Sequence, residues 1–219
     1  MIKNNLLLKN HIQKEYFKDS ELKKFNKKYK KIFLYINKDI KNQKKTINVI
    51  DNNFKFNFKI NDLKKFKRFK NIAILGMGGS VLGSKEIYKF LEKKIKKKIY
   101  FFDNLQENKI TEFKKKGLSK ILFIVISKSG NTIETLSNVF ALNIIKKNAK
   151  NIILISEKKN SALFHLSKKL NLYFVEHKNY VGGRYSVLSD TGIIPAYLMG
   201  INIFKLRSKI QNHFIKKRQ

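Results

Sequence analysis

Apolar residues recur along this chain in two rhythms, and the change between them comes near residue 71. Before it, Phe17, Leu22, Phe25, Tyr29 and Phe33 follow one another mostly at three- and four-residue steps. That spacing predicts an amino-terminal arm, residues 1–70, of two amphipathic helices with a short connection. Within the arm, NFKFNFKI at 53–60 alternates instead and is expected to be extended. No linker rich in Pro, Gly or Ser and no internal repeat marks a boundary, so the arm should pack onto the remainder of the chain.

From residue 71 the apolar positions gather into short unbroken runs at 72–75, 99–102, 121–126, 152–155 and 172–175. Segments of helical period lie between them, near 81–94, 109–116, 132–148 and 161–169. Unbroken rather than alternating apolarity marks strands covered on both faces, and the intervening helices supply right-handed crossovers. The fold class is therefore α/β: residues 71–219 should form a three-layer, doubly wound, five-stranded parallel sheet with flavodoxin-like strand order 2-1-3-4-5.

Two of the strand-to-helix turns are unusual. The first run ends in GMGGSVLG (76–83) and the third in SKSGNT (127–132). In the predicted order strands one and three are neighbours and the winding reverses between them, so both turns open on one crevice at the carboxyl ends of the strands. Glycines at 76, 78 and 79 allow close backbone approach, and a helix starting at each turn aims its unpaired N–H groups at the same point. Ser80, Ser127, Ser129 and Thr132 add hydroxyl donors and Lys128 a charge, while Asn131 and Glu134 have the spacing to cap the second helix. An anion, and specifically a phosphate, suits such a place. Simpler readings stand beside this one: GMGGS also fits a plain tight turn, and the Ser/Thr loop also fits a helix cap. A dinucleotide fingerprint is disfavoured, because Val81 stands where its third glycine belongs.

A third motif, YVGGRYSVLSDTG (180–192), comes after the fifth run. Arg184 is the sole arginine between residues 69 and 206 in a chain that otherwise uses lysine. A planar, permanently charged fork suits a phosphate or a developing oxyanion, and a structural ion pair is the alternative.

Composition adds limits. A hydrophobic fraction of 42%, with 12% aromatic residues, is ample for a packed core. With no cysteine and four scattered histidines (His11, His165, His177, His213), neither a disulfide framework nor metal-ligand spacing is present. The formal net charge of +34 invites nucleic acid. Yet the lysines are spread over every predicted surface helix, which reads as a solvated surface and not as a specific nucleic-acid face. The longest apolar run, ILFIVI, is far below the roughly 20 residues a bilayer requires, and NNLLLKN is too brief for a signal-peptide core, so a cytoplasmic address without membrane attachment is expected.

Taken in order and spacing, LGMGGSVLG, SKSGNTIET and VGGRYSVLSDTG resemble the glucose-6-phosphate isomerase (phosphoglucose isomerase) family. The Ser-x-Ser-Gly-x-Thr loop is common to sugar isomerase (SIS) domains, whereas Gly-Gly-Arg-Tyr-Ser singles out this family. The likeness is strong over 71–200 and vague over the arm. It implies substrate binding by Gly79, Ser80, Ser127, Lys128, Ser129 and Thr132, with Arg184 as the catalytic residue stabilising an enediolate, and neither metal nor cofactor. It also implies interconversion of glucose and fructose 6-phosphates, and a dimer whose active sites are shared between subunits. Members of the family carry a second SIS domain bearing the glutamate base and ring-opening histidine, then a tail with a catalytic lysine; none of these is found here. The expectation is therefore the first of two SIS domains, a homodimer or a partner to a missing carboxyl-terminal half. A non-catalytic sugar-phosphate-binding module is the alternative. Asp190 and Thr191 depart from the small or apolar residues usual after Arg-Tyr-Ser, and capping accounts for Glu134 better than a role as base.

Overall fold

The structure, a computed structural model, describes residues 18–208 and 210. Phe17 and NNLLLKN lie outside them. The chain divides into two compact units between Asp39 and Ile40, so residues 40–70 belong with the sheet and not with the helical unit that precedes it.

In the first unit, helix α1 (Asp19–Ile40) runs for 22 residues without interruption. Its apolar stripe, with Leu22, Phe25, Tyr29 and Ile32 at helical spacing, is solvent-exposed. The second predicted helix of the arm reduces to α2 (Ile60–Lys64), preceded by a 3₁₀ turn at Thr46–Ile50.

Strands β1 (Asn71–Leu75), β2 (Lys98–Phe102), β3 (Ile121–Ile126), β4 (Ile152–Ser156) and β5 (Tyr173–Glu176) form one parallel sheet in the order β2-β1-β3-β4-β5. Between them run α3 (Gly79–Leu91), α4 (Glu107–Lys114), α5 (Ile133–Ala141) and α6 (Ala162–Lys169); α7 (Asp190–Leu198) and α8 (Ile203–Arg207) come after β5. Alternate strand residues serve opposite layers. Ile72, Ile74, Leu122, Ile124 and Ile126 pack with residues of α2, α3 and α7. Ala73, Leu75, Phe123 and Val125 pack with residues of α4, α5 and α6. All six residues of β3 are buried, as the middle strand of a three-layer fold requires.

NFKFNFKI lies outside the sheet, and Phe54, Phe56 and Phe58 meet one another there, edge-on and tilted, at 5.4 and 5.0 Å between ring centroids. Asn57 is fastened instead through its own N–H to Asp190 Oδ1 (2.7 Å) and through Nδ2 to the Glu176 carbonyl (2.8 Å). The helix expected over 132–148 stops at Ala141, because Asn143 and Asn148 take left-handed φ angles of 50° and 57°.

Helix α7 is buried along its whole length and holds Pro195 in its interior. Proline has no N–H to donate four residues back, to the Thr191 carbonyl. Ser84 Oγ of α3 donates to that carbonyl instead, at 3.3 Å.

Candidate functional site

The carboxyl ends of β1 and β3 adjoin. A Cβ on Gly76 would lie 2.7 Å from the Ile126 carbonyl oxygen and 3.3 Å from Ser80 Cβ, so only glycine lets the turn leave β1 against β3. Gly78, at φ 51°, caps α3. Gly76 thus lies against Ile126, where the two turns leave adjoining strands.

On the β3 side, Ser127 Oγ lies 2.8 Å from Thr132 Oγ1, and Ser129 Oγ stands 3.5 Å from Ser127 Oγ and 3.3 Å from Thr132 Oγ1. Two of these oxygens already accept from backbone: Gly130 N donates to Ser127 Oγ (3.1 Å) and Asn131 N to Ser129 Oγ (3.2 Å). One hydroxyl proton is spent within the cluster, in the Ser127–Thr132 bond, and would have to turn outward to reach a ligand. Thr132 is also the N-cap of α5, whose first-turn N–H groups start beside the same hydroxyls.

The Gly-Gly-Arg turn closes onto the other loop. Gly183–Tyr185 forms a 3₁₀ turn, and a Cβ on Gly79 would lie 2.6 Å from Arg184 N and 2.7 Å from the Gly183 carbonyl oxygen. One helical turn later a Cβ on Gly83 would lie 2.7 Å from Val187 Cβ. Small residues four apart on α3 therefore seat the arginine-bearing segment directly on the glycine-rich loop. Ser186 Oγ ties the turn internally, donating to the Gly183 carbonyl at 2.7 Å. The Arg184 side chain is exposed, and among the described residues it has no carboxylate or carbonyl partner. An arginine with a structural role is found elsewhere: Arg207, half-buried against Phe54 and Phe56, donates to the Leu188 and Asp51 carbonyls.

Gly79, Ser80, Ser127, Ser129, Thr132 and Arg184 are thus carried by three segments that meet at the ends of two adjoining strands. Lys128 shares their loop, but its ammonium is engaged beside it, donating to the Asn179 carbonyl (2.9 Å) and pairing with Glu157 (3.6 Å). Asn131 does not cap α5. Its Oδ1 accepts from Ala162 N at the start of α6, at 2.7 Å. Glu134 sits in the first turn of α5, exposed.

Asp190 is buried at the start of α7, and burial pushes its carboxyl up to about 6. Its Oδ2 has no partner among the described residues. Glu157, which holds both Lys128 and Lys159 (2.7 Å), is not distinguishable in the sequence, where it precedes an ordinary lysine pair. Among the described residues no group of three His, Asp or Glu side chains is placed to hold a metal, and no helix is long and apolar enough to cross a membrane.

Comparison with known proteins accords with this geometry. Residues 35–217 match the family model for phosphoglucose isomerase. A Methanococcus maripaludis protein described as a probable glucose-6-phosphate isomerase is 34% identical over 200 residues, covering 86% of this chain and 45% of that protein. The glucose-6-phosphate isomerase of Methanocaldococcus jannaschii is 33% identical over 146 residues, 65% of this chain and 36% of its own. The chain thus spans less than half the length of these relatives. In fold it is similar to a hypothetical protein of Thermus thermophilus (TM-score 0.69, 18% identity, 88% of this chain and 49% of that one). It is also similar in fold to a glucose-6-phosphate isomerase from Chlamydia trachomatis (TM-score 0.56, 24% identity, 67% and 29%).

Proposed function

The chain belongs to the phosphoglucose isomerase family, and from that premise we propose that it forms the hexose 6-phosphate-binding half of a glucose-6-phosphate isomerase. The observation that supports this reading is the seating of the Gly183–Arg184 backbone on Gly79, in the turn that follows β1, while the three-hydroxyl cluster follows the adjoining strand β3.

The phosphoryl group would accept from Ser127, Ser129 and Thr132, with Ser80 and the amino termini of α3 and α5 completing an electropositive cradle. Each hydroxyl bond to a charged oxygen is worth about 1.5–3 kcal/mol, roughly 10- to 150-fold in affinity. Held by its phosphate, the sugar would lie over Gly79, where a side chain would obstruct it, with its C1–C2 end toward Arg184. When a proton moves between those carbons, negative charge collects on their oxygens, and a guanidinium with no other partner stabilises that charge. The proton needs a base within hydrogen-bond reach, and neither the hydroxyls nor Arg184 can serve. Exposed, helix-starting Glu134 is not adopted for that role. The base would come from the length that the relatives possess beyond this match, on the same polypeptide or a partner, or from a second subunit of a homodimer. Cytoplasmic carbohydrate metabolism, in glycolysis and gluconeogenesis, is the setting this implies.

Calorimetric titration with fructose 6-phosphate tests the reading. The 219-residue chain should bind it and not bind fructose, Ser129→Ala should weaken binding at least tenfold, and a coupled assay should detect little turnover. Equal affinity for the phosphorylated and free sugars would refute the proposal. Full turnover by this chain alone would refute the division of labour.

A further inference from the structure

We propose that Asn131 is a positioning residue: its side chain fastens the hydroxyl loop to the start of α6 and so fixes the phosphate-binding geometry. The inference rests on the reading of 127–132 as a phosphate loop.

Three hydroxyls at 2.8–3.5 Å from one another are useful only if their backbone does not wander. Inside the loop, restraint is local: Gly130 N and Asn131 N bond to side chains two and three residues away. Apart from the Lys128 ammonium, which reaches Asn179, the long-range ties run to the segment after β4. Asn131 Oδ1 accepts from Ala162 N (2.7 Å), the Gly130 carbonyl accepts from Leu163 N (3.1 Å), and the Lys128 carbonyl accepts from Glu157 N (3.1 Å). Gly130 makes this docking possible. It stands at φ 71°, and a Cβ there would run into the Ser161 side chain.

Ser161, the N-cap residue of α6, makes no side-chain cap bond, and its Oγ is buried without a partner among the described residues. The cap of α6 is supplied from outside, by Asn131. Helices ordinarily satisfy their first N–H groups with their own N-cap side chain. Here α6 borrows that acceptor from the phosphate loop, so ordering one orders the other.

The test pairs hydrogen exchange with ligand titration on the 219-residue chain. In Asn131→Ala, the Ala162 and Leu163 amides should lose protection, and affinity for fructose 6-phosphate should fall about 2- to 30-fold, the range a lost helix cap is worth. Asn131→Asp keeps the acceptor and should restore protection at Ala162. Ser129→Ala should weaken binding while leaving exchange at 162–163 unchanged, which separates a ligand contact from a positioning contact. Unchanged protection at Ala162 in Asn131→Ala, or lost protection with undiminished affinity, would overturn the inference. If the unsubstituted chain binds no phosphate ester, the functional reading fails, and the positioning role resting on it is rejected too; exchange at Ala162 then still decides whether the fastening exists.

Discussion

Replacing Gly79 by alanine adds one methyl group where the glycine-rich loop and the arginine-bearing turn meet backbone to backbone. Built on the present backbone, that methyl carbon would lie 2.6 Å from Arg184 N and 2.7 Å from the Gly183 oxygen, where ordinary contact begins at 3.4 Å. The neighbours are main-chain atoms, so no rotamer change relieves the overlap, and the arginine-bearing turn must retreat by most of an ångström. Overpacking of this kind costs about 1–3 kcal/mol, which for a domain of this size lowers Tm by about 2–12 °C. Gly183 is the internal control. A methyl there meets nothing nearer than Gly79 Cα at 3.9 Å, so Gly183→Ala should melt within about 2 °C of the unsubstituted chain although it lies across the same contact. Thermal denaturation followed by circular dichroism, with titration of fructose 6-phosphate on both variants, reads the difference. Gly79→Ala should be destabilised and bind weakly. Equal melting temperatures for the two alanine variants would refute the backbone-on-backbone seating.

Other residues yield further predictions. Arg184 has no partner among the described residues, so Arg184→Ala should change unfolding free energy by less than about 0.5 kcal/mol. It should nonetheless abolish activity in any complemented enzyme; a stability loss of several times that size would make the arginine structural. Burial holds the Asp190 carboxyl at about 6 against its ordinary 3.8. The folded chain therefore keeps a proton that the unfolded chain has released, and stability falls as pH rises between about 4 and 6, by on the order of 2–3 kcal/mol. Asp190→Asn carries no such charge, so denaturant unfolding should show it gaining on the unsubstituted chain from pH 4 to pH 7; a pH-independent difference would contradict this. Glu157→Gln should release the Lys128 ammonium from its ion pair and raise affinity for inorganic phosphate severalfold at low salt, and unchanged affinity would mean that Lys128 does not reach the ligand.

Much of the frame is legible in the sequence because burial on both faces leaves short unbroken apolar runs, four to six residues long and bounded by turn formers. The runs at 72–75, 121–126 and 152–155 coincide with β1, β3 and β4 to within a residue. Their order alone brings the two small-residue loops together. Helix α7 leaves no such trace. All nine of its residues are buried, so it has no polar face to set a period, and its proline argues against a helix. Asn131 and Lys128 show where spacing misleads. Both have the sequence positions for local roles, yet their partners, Ala162 and Glu157, lie about thirty residues away across the strand that separates them. Tertiary hydrogen bonds of that kind arise from the juxtaposition of two loops, which local pattern does not encode.

The most direct measurement is the location of the bound ester in a crystal of this chain grown with fructose 6-phosphate. Phosphoryl oxygens are predicted within hydrogen-bond distance of Ser127, Ser129 and Thr132, with the sugar extending over Gly79 toward Arg184. Density for the phosphoryl group elsewhere, for instance in the lysine-lined groove along β5 between Lys65 and Lys168, with the hydroxyl loop vacant, would contradict the assignment.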